Sequence, residues 1–423
     1  MMRIHERGSP GYEAALSALG RRGEADLERV EPAVREIILA VKTRGDAALR
    51  ALTARFEGRE LGPVRLADAA WRAAAASAPP EVRDALARAA ERVRRYHEHQ
   101  REGGFAYEED GVRLGQRVRP LGSAGVYAPG GKARYPSTVL MTAIPAAVAG
   151  VRRIVLATPR PTPEVLAAAE LSGVTEVIDS GGAQAIAALA HGTESVARVD
   201  KIVGPGNLYV ACAKRLVFGI VDIDQIAGPS EILVVADDQA RPEVVAADLL
   251  SQAEHDEDAY ALLVTLSRAQ AERVIASVQA QLASLPRIDV ARASLERNFA
   301  CFVAGDLDEA ARVASMLAAE HLALAVRDPE ALFERIDAAG AVFLGDHTPE
   351  AAGDYAAGPS HVLPTGGAAR FSSPLGVYDF LVRTSIIRYD QSAIEAQADL
   401  LETLARLEGL EAHARAVAVR RRS

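Results

Sequence analysis

Ile154-Val155-Leu156-Ala157, Glu176-Val177-Ile178 and Lys201-Ile202-Val203 are three short apolar runs separated by segments with helical patterning. Runs of three or four residues without polar alternation fit strands buried on both faces, and strands separated by helices run parallel. The pattern extends to Ile232-Leu233-Val234-Val235 and resumes with Ala261–Thr265, Ala300–Ala304, Leu322–Val326 and Ala341–Leu344. Two such blocks predict two α/β domains, each with a parallel sheet, joined near Gly228-Pro229-Ser230.

Outside these blocks the reading is simpler. Residues 1–22 are polar and glycine-punctuated, and predict a small helical arm. Helical periodicity runs through Glu31–Phe56 and Pro80–Gln100. The second segment ends in Arg94-Arg95-Tyr96-His97-Glu98-His99, which reads as a solvated face. His97 and His99 are two apart and do not share a helix face, so they are not a metal pair. Asp110-Gly111 predicts a hairpin turn. After Tyr378 the strand signal fades, and residues 391–420 read as helices ending in Arg420-Arg421-Arg422.

The 423 residues are 49% apolar and 25% charged, a composition of globular cores. The net charge of −9 argues against nucleic acid or an anionic membrane as the main partner. No apolar run reaches membrane-spanning length, and the N-terminal residues lack the apolar segment of a signal peptide. The two cysteines, Cys212 and Cys301, have no ligand spacing and read as small core residues of a protein in a reducing cytoplasm.

Candidate chemistry lies in five places. In Asp248-Leu-Leu-Ser-Gln-Ala-Glu-His-Asp256 an apolar helical segment ends in a polar cluster. Gln252 and His255 are three apart and share a helix face, so a carbonyl oxygen and an imidazole can grip one metal or substrate. A helix C-terminus with a satisfied polar edge fits the same residues. Glu320-His321 opens an apolar strand, and a carboxylate beside an imidazole offers two proton acceptors. An exposed loop pair is the alternative. Asp354 and His361 are the metal or acid–base candidates of a long Gly/Pro-rich loop that includes Gly358-Pro359-Ser360-His361. Glu408 and His413 are five apart in the tail. They share a site only if the helix breaks at Gly409; taken alone, this is a surface helix. Finally, Gly122–Gly131, Gly181-Gly182-Ala183-Gln184 and Gly204-Pro205-Gly206-Asn207 precede helical segments, where free N–H groups suit phosphates. None has the spacing of the ordinary dinucleotide fingerprint, so the glycines alone leave a nucleotide open.

The same segments carry a resemblance. Gly125-Val-Tyr-Ala-Pro-Gly-Gly-Lys-Ala-Arg-Tyr-Pro-Ser-Thr-Val-Leu-Met141, Gly181–Ala187, Gly204–Val210, Ala227-Gly-Pro-Ser-Glu231, Asp248–His255, Glu320-His321-Leu322, His361–Thr365 and Phe371–Phe380 resemble histidinol dehydrogenases in order and spacing, over nearly the whole chain. The resemblance implies NAD-dependent oxidation of L-histidinol to L-histidine through L-histidinaldehyde, the last step of histidine biosynthesis. It implies zinc ligands at Gln252, His255, Asp354 and His413, and bases at Glu320 and His321. Ser230, His361 and Glu408 match substrate contacts, as do His321 and the four zinc ligands. Tyr127, Gln184 and Asn207 match NAD contacts. The implied fold is two Rossmann-like α/β domains with a helical N-terminal arm (1–22) and a helical tail (378–423) exchanged in a domain-swapped homodimer with shared active sites. Residues 23–126 and 230–377 would form the major domain with the metal and substrate site, and 127–229 a second domain with the NAD contacts. Asp256 stands where some relatives have Gly, and Ser360 where some have Asn. Neither removes an implied ligand or base.

Three other readings are distinguishable. A paralogous NAD-dependent dehydrogenase of another small amino- or sulfo-alcohol would lose some imidazole-binding groups, yet His361, Glu408 and His413 are all present. A zinc hydrolase using Glu320 to activate water would not need Tyr127, Gln184 and Asn207. A non-catalytic binding protein would not keep every implied ligand and base.

Overall fold

The predicted alternation of strands and helices forms two parallel sheets in a computed structural model that describes residues 2–22, 27–130 and 135–421. Gly131–Arg134 of the glycine-rich motif, Arg422, and the expected boundary at residue 23 lie outside the described residues.

The five-stranded sheet has the order Glu176–Ile178, Arg153–Ala157, Ser123–Tyr127, Lys201–Val203, Asp222–Ile223, all parallel. In chain order this is 3-2-1-4-5, the winding of a dinucleotide-binding fold without its sixth strand. A second sheet repeats it with Ala300–Val303, Tyr260–Thr265, Glu231–Ala236, His321–Ala325 and Ala341–Leu344. Arg3–Glu6 adds a sixth parallel strand beside Ala300–Val303, so the N-terminal arm is part strand rather than wholly helical.

Alternate residues of the buried strands feed opposite cores. Ile232, Val234 and Ala236 pack with the helices Pro242–Ala253, Arg268–Leu282 and Ile288–Asn298. Leu233 and Val235 pack on the other face with Pro10–Leu19 and Leu307–Leu317. The five-stranded sheet is likewise covered on both faces. Ala124, Val126, Ile154 and Leu156 meet the helices Asp68–Ala76, Pro80–Glu98, Pro136–Ala149 and Pro163–Ser172. Val155, Ala157 and Ile202 meet Leu27–Glu57, Gly182–His191 and Leu208–Val217.

This corrects the expected domain division. The helices between 27 and 98 pack on the five-stranded sheet, not on the sheet of the expected major domain. A boundary at 126/127 would also cut the central strand Ser123–Tyr127. Periodicity reveals that a helix buries a stripe, here Val30, Val34, Ile37 and Val41, but not which sheet receives it.

The antiparallel hairpin Phe105–Glu109 and Val112–Pro120 turns at Asp110 (φ 50°) and Gly111 (φ 77°), as predicted. Its second strand pairs with Leu381–Tyr389, an element the sequence hides. That strand is mostly exposed and has no apolar alternation, so residues 378–423 are not all helical. The expected tail helices follow as Gln391–Leu407 and Glu411–Ala418 and pack against each other. His97 is fully buried and hydrogen-bonded to Gln100, not part of a solvated face.

Candidate active site

The helix Pro242–Ala253 buries Val245, Ala246, Leu249 and Leu250, and Gln252 goes down with them. His255 emerges just past its end and is exposed; its N–H still donates to the Gln252 carbonyl at 3.1 Å. The Gln252 amide lies 3.2 Å from the Glu231 carbonyl and 3.1 Å from both the Glu350 carboxylate and Nδ1 of His321.

Asp354 is the hub. Its carboxylate lies 4.0 Å from Nε2 of His255, 3.9 Å from Nε2 of His321 and 4.0 Å from Nδ1 of His361. Nδ1 of His361 also donates to the Asp354 carbonyl at 3.0 Å. Asp354 thus stands on the short helix Glu350–Tyr355 rather than in the expected loop, and the chain after it folds back so that the two candidates meet. Its next turn is anchored across the molecule, where the Ser360 hydroxyl donates to the Met141 carbonyl at 3.1 Å. His255, Glu350 and Asp354 each offer an atom within 4.8 Å of the others. Among the described residues, the ion-pair partners of Glu320, Glu350 and Asp354 are histidines, with no Lys or Arg. Three carboxylates so poorly compensated, with oxygen and imidazole donors converging, suit a divalent cation.

Glu320 and His321 are held by one residue of the neighbouring strand. The Glu231 N–H donates to the Glu320 carboxylate at 2.8 Å, and Nδ1 of His321 donates to the Glu231 carbonyl at 3.1 Å. A carbonyl only accepts, so the proton sits on Nδ1 and Nε2 keeps its lone pair. Burial, then the charge of Glu231, pushes the Glu320 carboxyl well above the usual carboxylate range. Burial does the same to Glu350, reinforced by Asp354. Burial lowers His321 to about 4, against the opposing pull of Asp354, and lowers His361 also. Both rings are therefore neutral near pH 7.

Ser230 is half-buried directly before Glu231, at the same amino end of the strand. Glu408 and His413 are not brought to this cluster. Both are exposed on the tail. The helix does break where the sequence requires, with Gly409 at φ 74° between the two tail helices.

Two neighbours were missed from sequence. Glu350 opens a short helix behind Pro349, where an acidic residue ordinarily just complements the helix dipole. Glu231 reads as part of an apolar strand, yet its carboxylate is buried against Arg22 of the N-terminal arm.

The cofactor candidates line a separate cavity of about 1100 Å³ at the carboxyl ends of the five-stranded sheet. Tyr127, Gln184 and Asn207 all face it, with Phe56, Arg55 and Tyr209. Tyr127 ends one strand and Gly204 follows the next, so the site straddles the point where the winding reverses. The Tyr127 hydroxyl accepts from the Gly182 N–H at 3.0 Å, and burial raises its pKa. Asn207 caps the helix Leu208–Val217 by accepting from Tyr209 and Val210 N–H groups at 3.1 and 3.2 Å. The N-termini of two helices thus open on the cavity, an arrangement that suits a pyrophosphate.

The sequence profile of the histidinol dehydrogenase family matches residues 20–421. The histidinol dehydrogenase of Syntrophotalea carbinolica is 52% identical, covering 99% of both chains. That of Bacillus subtilis is 51% identical over 96% of each. A crystal structure of histidinol dehydrogenase from Elizabethkingia anophelis superposes with a TM-score of 0.92 at 36% identity, covering 99% of this chain and 98% of the other.

Proposed function

The chain belongs to the histidinol dehydrogenase family, and we propose that it oxidises L-histidinol to L-histidine with two molecules of NAD and one bound zinc. The observation that carries this reading is the convergence of His255, His321 and His361 on the Asp354 carboxylate, with Gln252 and Glu320 beside His321, from segments far apart in the chain. The cavity that gathers Tyr127, Gln184 and Asn207 supports the cofactor half of it.

Gln252, His255 and Asp354 would hold the zinc, completed by a fourth ligand, and Ser230 and His361 would contact the substrate. Zinc held there would supply a template that orients the substrate. Tyr127, Gln184 and Asn207 would hold NAD, which would supply the hydride acceptor for each half-reaction. The chain's own residues move the protons. Nε2 of His321 is neutral at physiological pH and takes the alcohol proton as the first hydride leaves. Glu320 activates water for addition to the aldehyde. Its raised pKa makes it a strong base once ionised, and the Glu231 N–H stabilises that form. His321, having passed its first proton to solvent, then takes the proton of the resulting diol.

The fourth ligand, His413, and the substrate contact Glu408 come in this reading from a second copy of the chain. Leu400, Leu404 and Leu407 support it: they are exposed by 58, 49 and 81% at the spacing of one helix face beside Glu408. An apolar stripe of that kind asks for a partner surface. The enzyme is read as cytoplasmic. Its two cysteines are buried and unpaired, and no described helix is long and apolar enough to cross a membrane.

The test is NADH absorbance on adding L-histidinol to the zinc-loaded protein. About two NADH per histidine formed are expected from the two hydride transfers. No NADH sinks the reading, and a faster reaction with a different amino- or sulfo-alcohol moves it to a paralogous substrate.

A further inference from the structure

The buried Lys214–Asp224 ion pair brackets Gly204, three residues before the cavity-lining Asn207, and takes no part in the chemistry above. The two side chains are 2 and 4% exposed. Between them they hold both hydrogen-bonding groups of one residue. Nζ of Lys214 donates to the Gly204 carbonyl at 3.0 Å, and the Asp224 carboxylate accepts from the Gly204 N–H at 2.7 Å.

Gly204 is a tight point. Its φ is +118°, and a Cβ there would stand 2.1 Å from the Tyr127 carbonyl oxygen. Three residues later comes Asn207, which faces the cavity and caps the following helix. Lys214 stands on that same helix, and Asp224 directly follows the edge strand Asp222–Ile223. The strand end, the helix and the loop between them are therefore locked through a single residue. Burying an ion pair is costly unless its remaining hydrogen bonds are satisfied, and here Gly204 and the Gln225 N–H satisfy them.

We propose that Lys214 and Asp224 are positioning residues for the cofactor: they clamp Gly204 and so set the loop 204–207 against Tyr127 in the geometry that receives NAD. The inference rests on the reading that NAD occupies this cavity.

The experiment measures NAD binding to the zinc-loaded full-length protein by titration calorimetry, alongside melting temperature and steady-state kinetics. Two variants with different folding liabilities read the same quantity. Asp224→Asn keeps the shape and removes one charge. The double variant Lys214→Met, Asp224→Leu removes both, and replacing a buried pair by apolar residues is often neutral for stability. In either, NAD should bind about tenfold or more weakly, while kcat at saturating NAD stays within about threefold. Lys214→Arg, which keeps the cation, should bind NAD within about threefold of the wild type. A folded variant that binds NAD as tightly as the wild type overturns the proposal, as does a loss confined to kcat. If the wild-type protein itself binds no NAD, the cofactor reading falls and this inference falls with it.

Discussion

The backbone N–H of Glu231 donates to the carboxylate of Glu320 at 2.8 Å, across two neighbouring parallel strands. The carbonyl of the same Glu231 accepts from His321. One peptide unit's worth of backbone thus fixes the carboxylate and the imidazole together, at the amino ends of their strands. His321 opens its strand and Glu320 directly precedes it, so both are held against a rigid element.

The two groups should separate by pH. Burial raises Glu320, so its ionised form is populated only as pH climbs through a value above the usual carboxylate range. His321, at about 4, is already a free base throughout that window. The acidic limb of kcat/KM with L-histidinaldehyde should therefore belong to Glu320. Glu320→Gln is expected to flatten that limb, and to slow the aldehyde step by about 10²-fold or more while slowing alcohol oxidation less. Equal losses with histidinol and histidinal count against the split.

Metal binding gives a second test. Asp354 faces three imidazoles, so Asp354→Asn removes the one carboxylate that all of them share. Zinc content after dialysis against a weak chelator should fall by about tenfold or more relative to wild type. Full retention of zinc by the folded variant would place the metal elsewhere.

Much of this was legible in the sequence, and what was not has a physical reason. The buried parallel strands were readable because an apolar run of four or five residues has few other uses. Strand Leu381–Tyr389 was not, because it is exposed at an edge and carries no alternation. The pair Gln252–His255 showed itself by helical spacing. Its partners on distant segments did not: spacing says nothing about Asp354 or His361, and only the resemblance to a known family joined them. Glu350 had no signal at all, since an acid at the start of a helix is ordinary. Helices 27–98 announced a buried stripe but not the sheet that covers it.

The tail offers a test of shared sites. Glu408 and His413 are exposed and lie on a pair of helices that pack chiefly on each other. Mixing inactive His321→Ala with inactive His413→Ala should restore activity if His413 serves the partner, because a hybrid dimer contains one intact site. Random pairing gives about a quarter of wild-type sites. Zero activity after verified subunit exchange would show that His413 acts within its own chain.

Asp248 makes the last prediction, on stability. It stands on the site helix, and burial, then the nearby charge of Asp346, raises its pKa to about 6. Unfolded, it titrates near the ordinary value of about 3.9. Between those values the folded state binds the proton and the unfolded state does not. Stability from this group is therefore present below about pH 4 and lost as pH rises through about 6. Above that, the ionised carboxylate opposes folding, less than its full shift implies because the side chain is partly exposed. Asp248→Asn keeps the shape and removes the charge. Its melting temperature should exceed wild type by about 1–3 °C at pH 8 and match it only below about pH 4. A gain of equal size at both pH values would mean that packing, rather than the buried charge, distinguishes the two side chains.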